Sequence, residues 1–162
     1  MNEVVLALGS NLGDRLANLV AAVDLLAERG VTTRRRSAAW ETEPVPPDQP
    51  KYLNAVVVAE TDLSPEALLR VAKEVEGILG RIPGPRWGPR PADIDIVFYG
   101  DQRIDTAELT VPHPRTSERS FVLAPLAEVM SGTLPVLGET AGALLAPLDG
   151  VPPQAIGALA FR

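Results

Sequence analysis

Cysteine is absent from the 162-residue chain, so neither a disulfide framework nor a thiolate zinc site can form. A single histidine, His113, likewise excludes a multi-histidine metal centre. Positive charge is in deficit: 15 Lys and Arg against 21 Asp and Glu leave a net charge of −6, which argues against duplex nucleic acid or a membrane surface as the main partner. A small anionic ligand is still allowed. No apolar run approaches the ~18 residues of a membrane span, and the first apolar stretch follows Asn2 and Glu3 rather than a basic leader. The expected location is the cytoplasm. Aromatics are scarce, with two Trp, two Tyr and three Phe, so the core must be mainly aliphatic, and each aromatic outside a core strand calls for a reason.

What is present describes a single globular domain spanning 1–162. The length fits one unit at the usual ~100–200 residues, and 46% apolar with 22% charged residues suffices for a real core. Proline is abundant, 16 residues in all, and it clusters. Four prolines fall in 42–51 (TEPVPPDQPK) and four in 80–92 (GRIPGPRWGPRPA), so neither segment can be regular structure. Both read as long structured loops.

Between these loops the pattern alternates strand and helix. Residues 4–8 (VVLAL) are a buried strand ending in a Gly9-Ser10-Asn11 turn, and Asp14 can cap a helix with apolar positions 16, 19, 20, 23 and 26, stopped at Gly30. Residues 31–41 read as one partly exposed strand, and 52–61 (YLNAVVVAET) as the next. Ser64, Pro65 and Glu66 open a helix to about Leu79. DIDIVFY (93–99) is a further strand. It is followed by a turn at Gly100-Asp101, a hairpin to about Val111, a helix from Ser117 or Glu118, and a proline-punctuated tail. Two strand–helix–strand units of similar size predict an α+β, ferredoxin-like sandwich: a largely antiparallel sheet flanked by helices.

The chemistry gathers around DIDIVFY. Alternation puts Asp93 and Asp95 on one face and Ile94, Ile96 and Phe98 on the other. Two carboxylates on rigid backbone suit Mg²⁺, which is bound through one or two carboxylates plus nucleotide phosphates, although a solvated edge-strand face explains the triplet equally well. The preceding loop carries Arg81, Arg86 and Arg90, whose planar forks match phosphate oxygens; an ordinary solvated turn can hold three arginines too. Trp87, beside Arg86, either plugs the core or covers a flat ligand. A lone histidine such as His113 is more often structural than catalytic, but Arg115 and Arg119 nearby make a phosphate contact plausible. The Gly9-Ser10-Asn11 turn lacks the GxxxxGK[ST] pattern of a phosphate loop and reads as a plain turn. Tyr52 and Asn54, two apart on one strand, share a face and can stack and hydrogen-bond a heterocycle, or are simply strand residues.

The order of these features resembles the 6-hydroxymethyl-7,8-dihydropterin pyrophosphokinase family of the folate pathway, through ALGSNLGDR (7–15), DQPKYLNAVV (48–57), RWGPRPADIDI (86–96) and LTVPHPRTSERSFVLAPLAEV (109–129). The likeness extends to about Leu137. It implies Mg²⁺-dependent transfer of pyrophosphate from ATP to the hydroxymethyl group of the pterin, releasing AMP. By the family's motifs, Asp93 and Asp95 would bind two Mg²⁺ ions, and Arg81, Arg90, His113 and Arg119 would contact phosphates, with Arg81 and Arg90 stabilising the transition state. Glu76, Arg86, Trp87, Ile96 and Thr110 complete the implied ATP site. The pterin would stack between Tyr52 and Phe121, read by Asn54 and by the backbone around Thr42 and Val45, with Trp87 closing over it. The loops 42–51 and 80–92 would act as lids. The Ile82-Pro83-Gly84-Pro85 run stands where the family pattern allows another basic residue, which predicts a stiffer lid with fewer phosphate contacts.

Two other functions compete: a different Mg²⁺-dependent phosphotransferase or nucleotide hydrolase on the same Asp pair, and a non-catalytic nucleotide-binding module. Tyr52, Asn54 and Phe121 discriminate, since neither alternative needs a heterocycle sandwich. The expected partners are the two small-molecule substrates, with no nucleic acid and no membrane, and a monomer is expected. Charge divides unevenly along the chain: residues 81–119 hold six basic and six acidic side chains, so two bound Mg²⁺ ions would turn a neutral segment into a trap for a triphosphate.

Overall fold

A computed structural model describes residues 1–42, 50–80 and 91–148, together with the backbone of 154–158. The elements in chain order are β1 (Asn2–Ser10), α1 (Arg15–Glu28), β2 (Val31–Arg36), β3 (Ala38–Thr42), β4 (Tyr52–Thr61), α2 (Pro65–Ile78) and β5 (Asp93–Tyr99). A small hairpin of β6 (Ile104–Asp105) and β7 (Thr110–Val111) follows. Then come a 3₁₀ turn at Thr116–Glu118, α3 (Ser120–Val129), α4 (Ala141–Leu145) and β8 (Gln154–Ala158). The main sheet runs β5-β1-β4-β3-β8, with β2 also beside β4, and every pairing is antiparallel. This is the α+β sandwich expected from the sequence, with each of the first two helices crossing between strands that are not neighbours.

The helix starts follow from single side chains. The Asp14 carboxylate accepts from Ala17 N at 3.1 Å, and the Ser64 hydroxyl accepts from Ala67 N at 3.2 Å; each satisfies a donor that a helix N-terminus leaves open. α1 ends at Gly30, which takes the positive φ of 88° that closes the last turn.

The sheet is covered on both faces. Leu19, Val23 and Leu26 of α1 and Leu68, Ala72 and Val75 of α2 pack on one side against Val4, Leu6 and Leu8. Val122, Leu123 and Leu126 of α3 pack on the other, against Val5, Val56, Val58 and Phe98. Burial on both faces explains why β1 and β4 read as continuous apolar runs rather than alternating ones. Each buried Leu or Val contributes about 1.5–3 kcal/mol over exposure, so these central strands form a rigid base for whatever their ends carry.

Beyond the site itself, the structure departs from the expected pattern in four places. Residues 31–41 form two strands, because Ser37 is buried and turns its hydroxyl into the ladder. Its Oγ accepts from Val56 N at 2.9 Å and donates to Ala38 O at 2.7 Å. Phe98 does not share a face with Ile94 and Ile96: β5 shifts register where Leu6 pairs with Ile96 and Val5 with Phe98, so Val97 is the extra residue of a bulge. Phe98 then joins the α3 side of the core while Tyr99 joins the other. The helix expected from Ser117 or Glu118 begins as the 3₁₀ turn, and α3 starts only at Ser120 because Arg119 is extended, with φ −104° and ψ 93°. The tail, in which no motif was legible, supplies β8 as the neighbour of β3.

Candidate active site

β5 lies at one end of the sheet, and a cleft of about 290 Å³ runs along it between α2 on one wall and β7, the 3₁₀ turn and the start of α3 on the other. Asp93 and Asp95 line it, Asp95 exposed and Asp93 half-buried. Glu76, Ile96, Thr110, His113 and Arg119 line it too, so every described residue that the sequence reading assigned to ATP reaches one cavity. The assigned Arg81, Arg86, Trp87, Arg90 and Val45, and the Ile82-Pro83-Gly84-Pro85 run with the stiffness expected of it, lie outside the described residues.

Each wall has its own local cause. Glu76 is 4% exposed, and its Oε2 accepts from Ile94 N at 2.8 Å. A buried carboxylate thus holds the backbone between the two aspartates. His113 Nδ1 accepts from Arg115 N at 3.1 Å, and the His113 carbonyl accepts from Thr116 N at 2.9 Å. With Nδ1 occupied as an acceptor, the ring proton sits on Nε2. Burial pushes the His113 pKa below its ordinary value, as do Arg119 and Arg115, against an opposing pull from Asp95. The ring is therefore neutral near pH 7 and offers one N–H donor. Arg119 adds a full positive charge to the same wall, its guanidinium 5.8 Å from the ring centroid of half-exposed Phe121.

The other half of the site lies on the strands. Asp93 pairs with Gly9 on β1, Gly9 pairs with Asn54 on β4, and Tyr52 pairs with Thr42 on β3. Residues directly opposite in an antiparallel ladder share a face, so Asp93, Asn54, Tyr52 and Thr42 all point to the side where α3 packs. At about 4.8 Å per strand, Asn54 stands about 10 Å from Asp93 across the sheet. Asn54 Nδ2 donates to Thr42 Oγ1 at 2.6 Å, which fixes the amide and leaves its oxygen toward Gly9. A Cβ on Gly9 would meet Asn54 Oδ1 at 3.0 Å and the Tyr52 ring at 3.4 Å. The glycine that read as part of a turn is a strand residue, and its missing side chain is what lets Tyr52 and Asn54 lie across β1.

The donor set fits a magnesium ion. Two carboxylates two residues apart on one strand face supply oxygen ligands, and among the described residues no group of three or more His, Cys, Asp or Glu could hold an ion alone. Phosphate and water oxygens must complete the shell, as they do when Mg²⁺ arrives with a nucleotide.

Residues 5–131 match the family described as 7,8-dihydro-6-hydroxymethylpterin-pyrophosphokinase (HPPK). The chain belongs to the HPPK family. The 2-amino-4-hydroxy-6-hydroxymethyldihydropteridine pyrophosphokinase of Bacillus subtilis is 48% identical over 132 residues, covering 80% of this chain and 79% of that one. Its counterpart in Methylorubrum extorquens is 43% identical over 151 residues, covering 92% and 95%. The mitochondrial folate synthesis bifunctional protein of Arabidopsis thaliana is 48% identical, but the match covers only 24% of its length. A crystal structure of HPPK-DHPS in complex with substrates superposes with a TM-score of 0.71 at 14% identity, covering 90% of this chain and 43% of that one. That of Plasmodium falciparum HPPK-DHPS gives 0.68 at 18% identity, covering 90% and 43%. These structures share the HPPK fold.

The sequence reading missed two charged residues of the cleft, Lys73 and Glu108. Helical spacing was the available signal for Lys73: Leu69, Lys73 and Glu76 stand at i, i+4 and i+7, a single stripe on α2, and all three line the cavity.

Proposed function

We propose that this protein is a single-domain enzyme of folate biosynthesis that transfers pyrophosphate from ATP to 6-hydroxymethyl-7,8-dihydropterin, giving the pterin diphosphate and AMP with two Mg²⁺ ions. The observation that carries the reading is the row Asp93–Gly9–Asn54, which ties a metal-binding carboxylate to a heterocycle-reading amide through three adjacent strands. A second phosphotransferase or a bare nucleotide-binding module has no use for that link.

The chain's part in the reaction is placement and charge. The pterin stacks between Tyr52 and Phe121, its amide-like edge read by Asn54 and by the backbone near Thr42 and Val45. Its hydroxymethyl oxygen then faces the β-phosphorus of a nucleotide lying along β5. The new bond joins that oxygen to the β-phosphorus as its proton passes to water, and the bond from the β-phosphorus to the oxygen bridging it to the α-phosphorus breaks, that oxygen leaving with AMP. Held together, the reactants are spared most of the entropy of encounter, and little covalent help is required of the protein. Mg²⁺ held at Asp93 and Asp95 would supply bridging of phosphate oxygens and screening of the incoming alcohol. His113 donates Nε2–H, and Arg119, Arg81 and Arg90 donate charge-assisted hydrogen bonds, to the phosphate oxygens. Ile96 and Thr110 flank the nucleoside, and Arg86 and Trp87 close the site from the loop. The protein works as a monomer in the cytoplasm.

The test is to mix the purified protein with Mg²⁺, ATP and the dihydropterin and to separate the nucleotides. AMP formed only when pterin is present is the expected result. ADP would point to a different phosphotransferase, and folded protein that binds ATP without turnover would leave only a binding module.

A further inference from the structure

Lys73 is the basic residue of the cleft that neither the motifs nor the reaction uses. It is exposed on α2, and the ordinary fate of such a lysine is an ion pair with an acid three or four residues on. Glu76 is that acid. Its carboxylate is buried and turned to Ile94 N instead, and among the described residues no ion pair reaches Lys73. On the outer side of the same helix Glu74 is bonded to Arg29 at 3.1 Å. An unpaired ammonium therefore lines a cavity whose other charged walls are Glu76, Asp93, Asp95, Glu108 and Arg119.

Its position along the cavity decides which part of a ligand it meets. Glu76 sits at the aspartate end, through its bond to Ile94. Lys73 stands about 4.5 Å back along the helix axis and Leu69 about 10.5 Å back, at 1.5 Å per residue. Beyond Lys73 on the helix stands Leu69, and Ile96 and Leu109 also line the cavity, apolar surface that suits a flat base rather than phosphate. Leu109 is fixed there by the tight turn in which Leu109 N donates to Thr106 Oγ1 at 3.0 Å. Lys73 thus stands between the aspartate end and Leu69, which, for a nucleotide whose outer phosphates meet the aspartates, is the place of the phosphate nearest the nucleoside.

We propose that Lys73 binds the AMP half of the nucleotide, its ammonium on the α-phosphate, and so neutralises the group that leaves with the bridging oxygen. This rests on the pyrophosphoryl-transfer reading. Catalysis gains because the leaving group acquires charge as the bond to the β-phosphorus breaks, and a fixed cation there is more effective than water.

The experiment measures, by calorimetry, the affinity for AMP and for Mg²⁺ with inorganic pyrophosphate in wild type, Lys73→Ala and Lys73→Arg. AMP affinity is expected to fall about tenfold in Lys73→Ala and to be largely recovered in Lys73→Arg, while pyrophosphate affinity changes by less than about twofold. Equal AMP affinity in wild type and Lys73→Ala, or equal weakening of both ligands, overturns the assignment. The exposed position spares the fold in both variants, and thermal melting of each variant checks it. A wild-type protein that makes no AMP in the turnover assay overturns the underlying reading instead, so the two failures are told apart.

Discussion

The two ends of the site are built by different means. At the Thr42–Tyr52–Asn54 end, neighbouring strands set every position through ladder pairing, and a direct 2.6 Å hydrogen bond locks the Asn54 amide. At the Asp93–Asp95 end, five separate elements converge, and half of the charged groups, Lys73, Asp95 and Glu108, face solvent. The first end is therefore preorganised in the empty protein, whereas under the proposed function the second would be completed by the ligand's own charges and metal. Asp95→Ala breaks the second end hardest. Asp95 is exposed, so its loss should leave the melting temperature nearly unchanged while turnover falls by about 10³-fold or more. Near-wild-type rates in that variant would remove the metal role.

Breaking the first end should look different. Asn54→Ala deletes the amide and leaves Thr42 Oγ1, which is 8% exposed with its residue, without its donor. KM for the pterin should rise about 10- to 100-fold with a smaller change in KM for ATP, and stability should fall by about 1–2 kcal/mol. Parallel changes in both KM values would show that the two ends are not separable. Glu76→Ala tests the joint between helix and strand: the buried Ile94 N–H loses its acceptor, at a cost of about 1–3 kcal/mol in denaturant unfolding. Glu76→Gln, which keeps an acceptor oxygen, should recover most of that stability. Loss of equal size in both variants would mean that the carboxylate's charge, rather than its hydrogen bond, holds β5.

How much of this was legible in the sequence depends on whether the cause was local. The caps at Asp14 and Ser64, the strand 52–61 and the paired faces of Asp93 and Asp95 follow from short-range chemistry and period-two alternation, and all are present. The bulge at Val97 arises from registration against Val5 and Leu6, ninety residues earlier, so alternation alone misplaced Phe98. Ser37 splits a strand because a hydroxyl meets Val56 N, and nothing nearby in sequence announces that partner. Gly9 read as a turn residue because its need to be glycine comes from Asn54 and Tyr52 across the ladder. Lys73 shares a helical stripe with Leu69 and Glu76 that the sequence shows, but the withdrawal of its natural partner Glu76 to Ile94 N is a tertiary contact with no local signal. The residues assigned to ATP were drawn as a set from motif order, and the described ones line one cleft.

The smallest expected effect separates the ends by pH. The folded-state pKa of His113 lies below the ordinary value of 6.5, so between 6.5 and that lower value the unfolded chain binds more protons than the folded one. Stability then rises with pH through this window and levels off above 6.5. Without ligands, the wild type should lose stability relative to His113→Gln on acidification from neutral pH through that window, and the difference should be flat above it. Asn54→Ala should leave this pH profile unchanged, because that amide carries no charge, while Arg119→Gln should raise the His113 pKa and narrow the window from below. Chemical-shift titration of the single histidine reads the pKa directly. A value at or above 6.5 would mean that the charged wall of the cleft is already solvated enough to carry a proton, and that the contrast between a preorganised end and a ligand-completed end is weaker at His113 than its packing suggests.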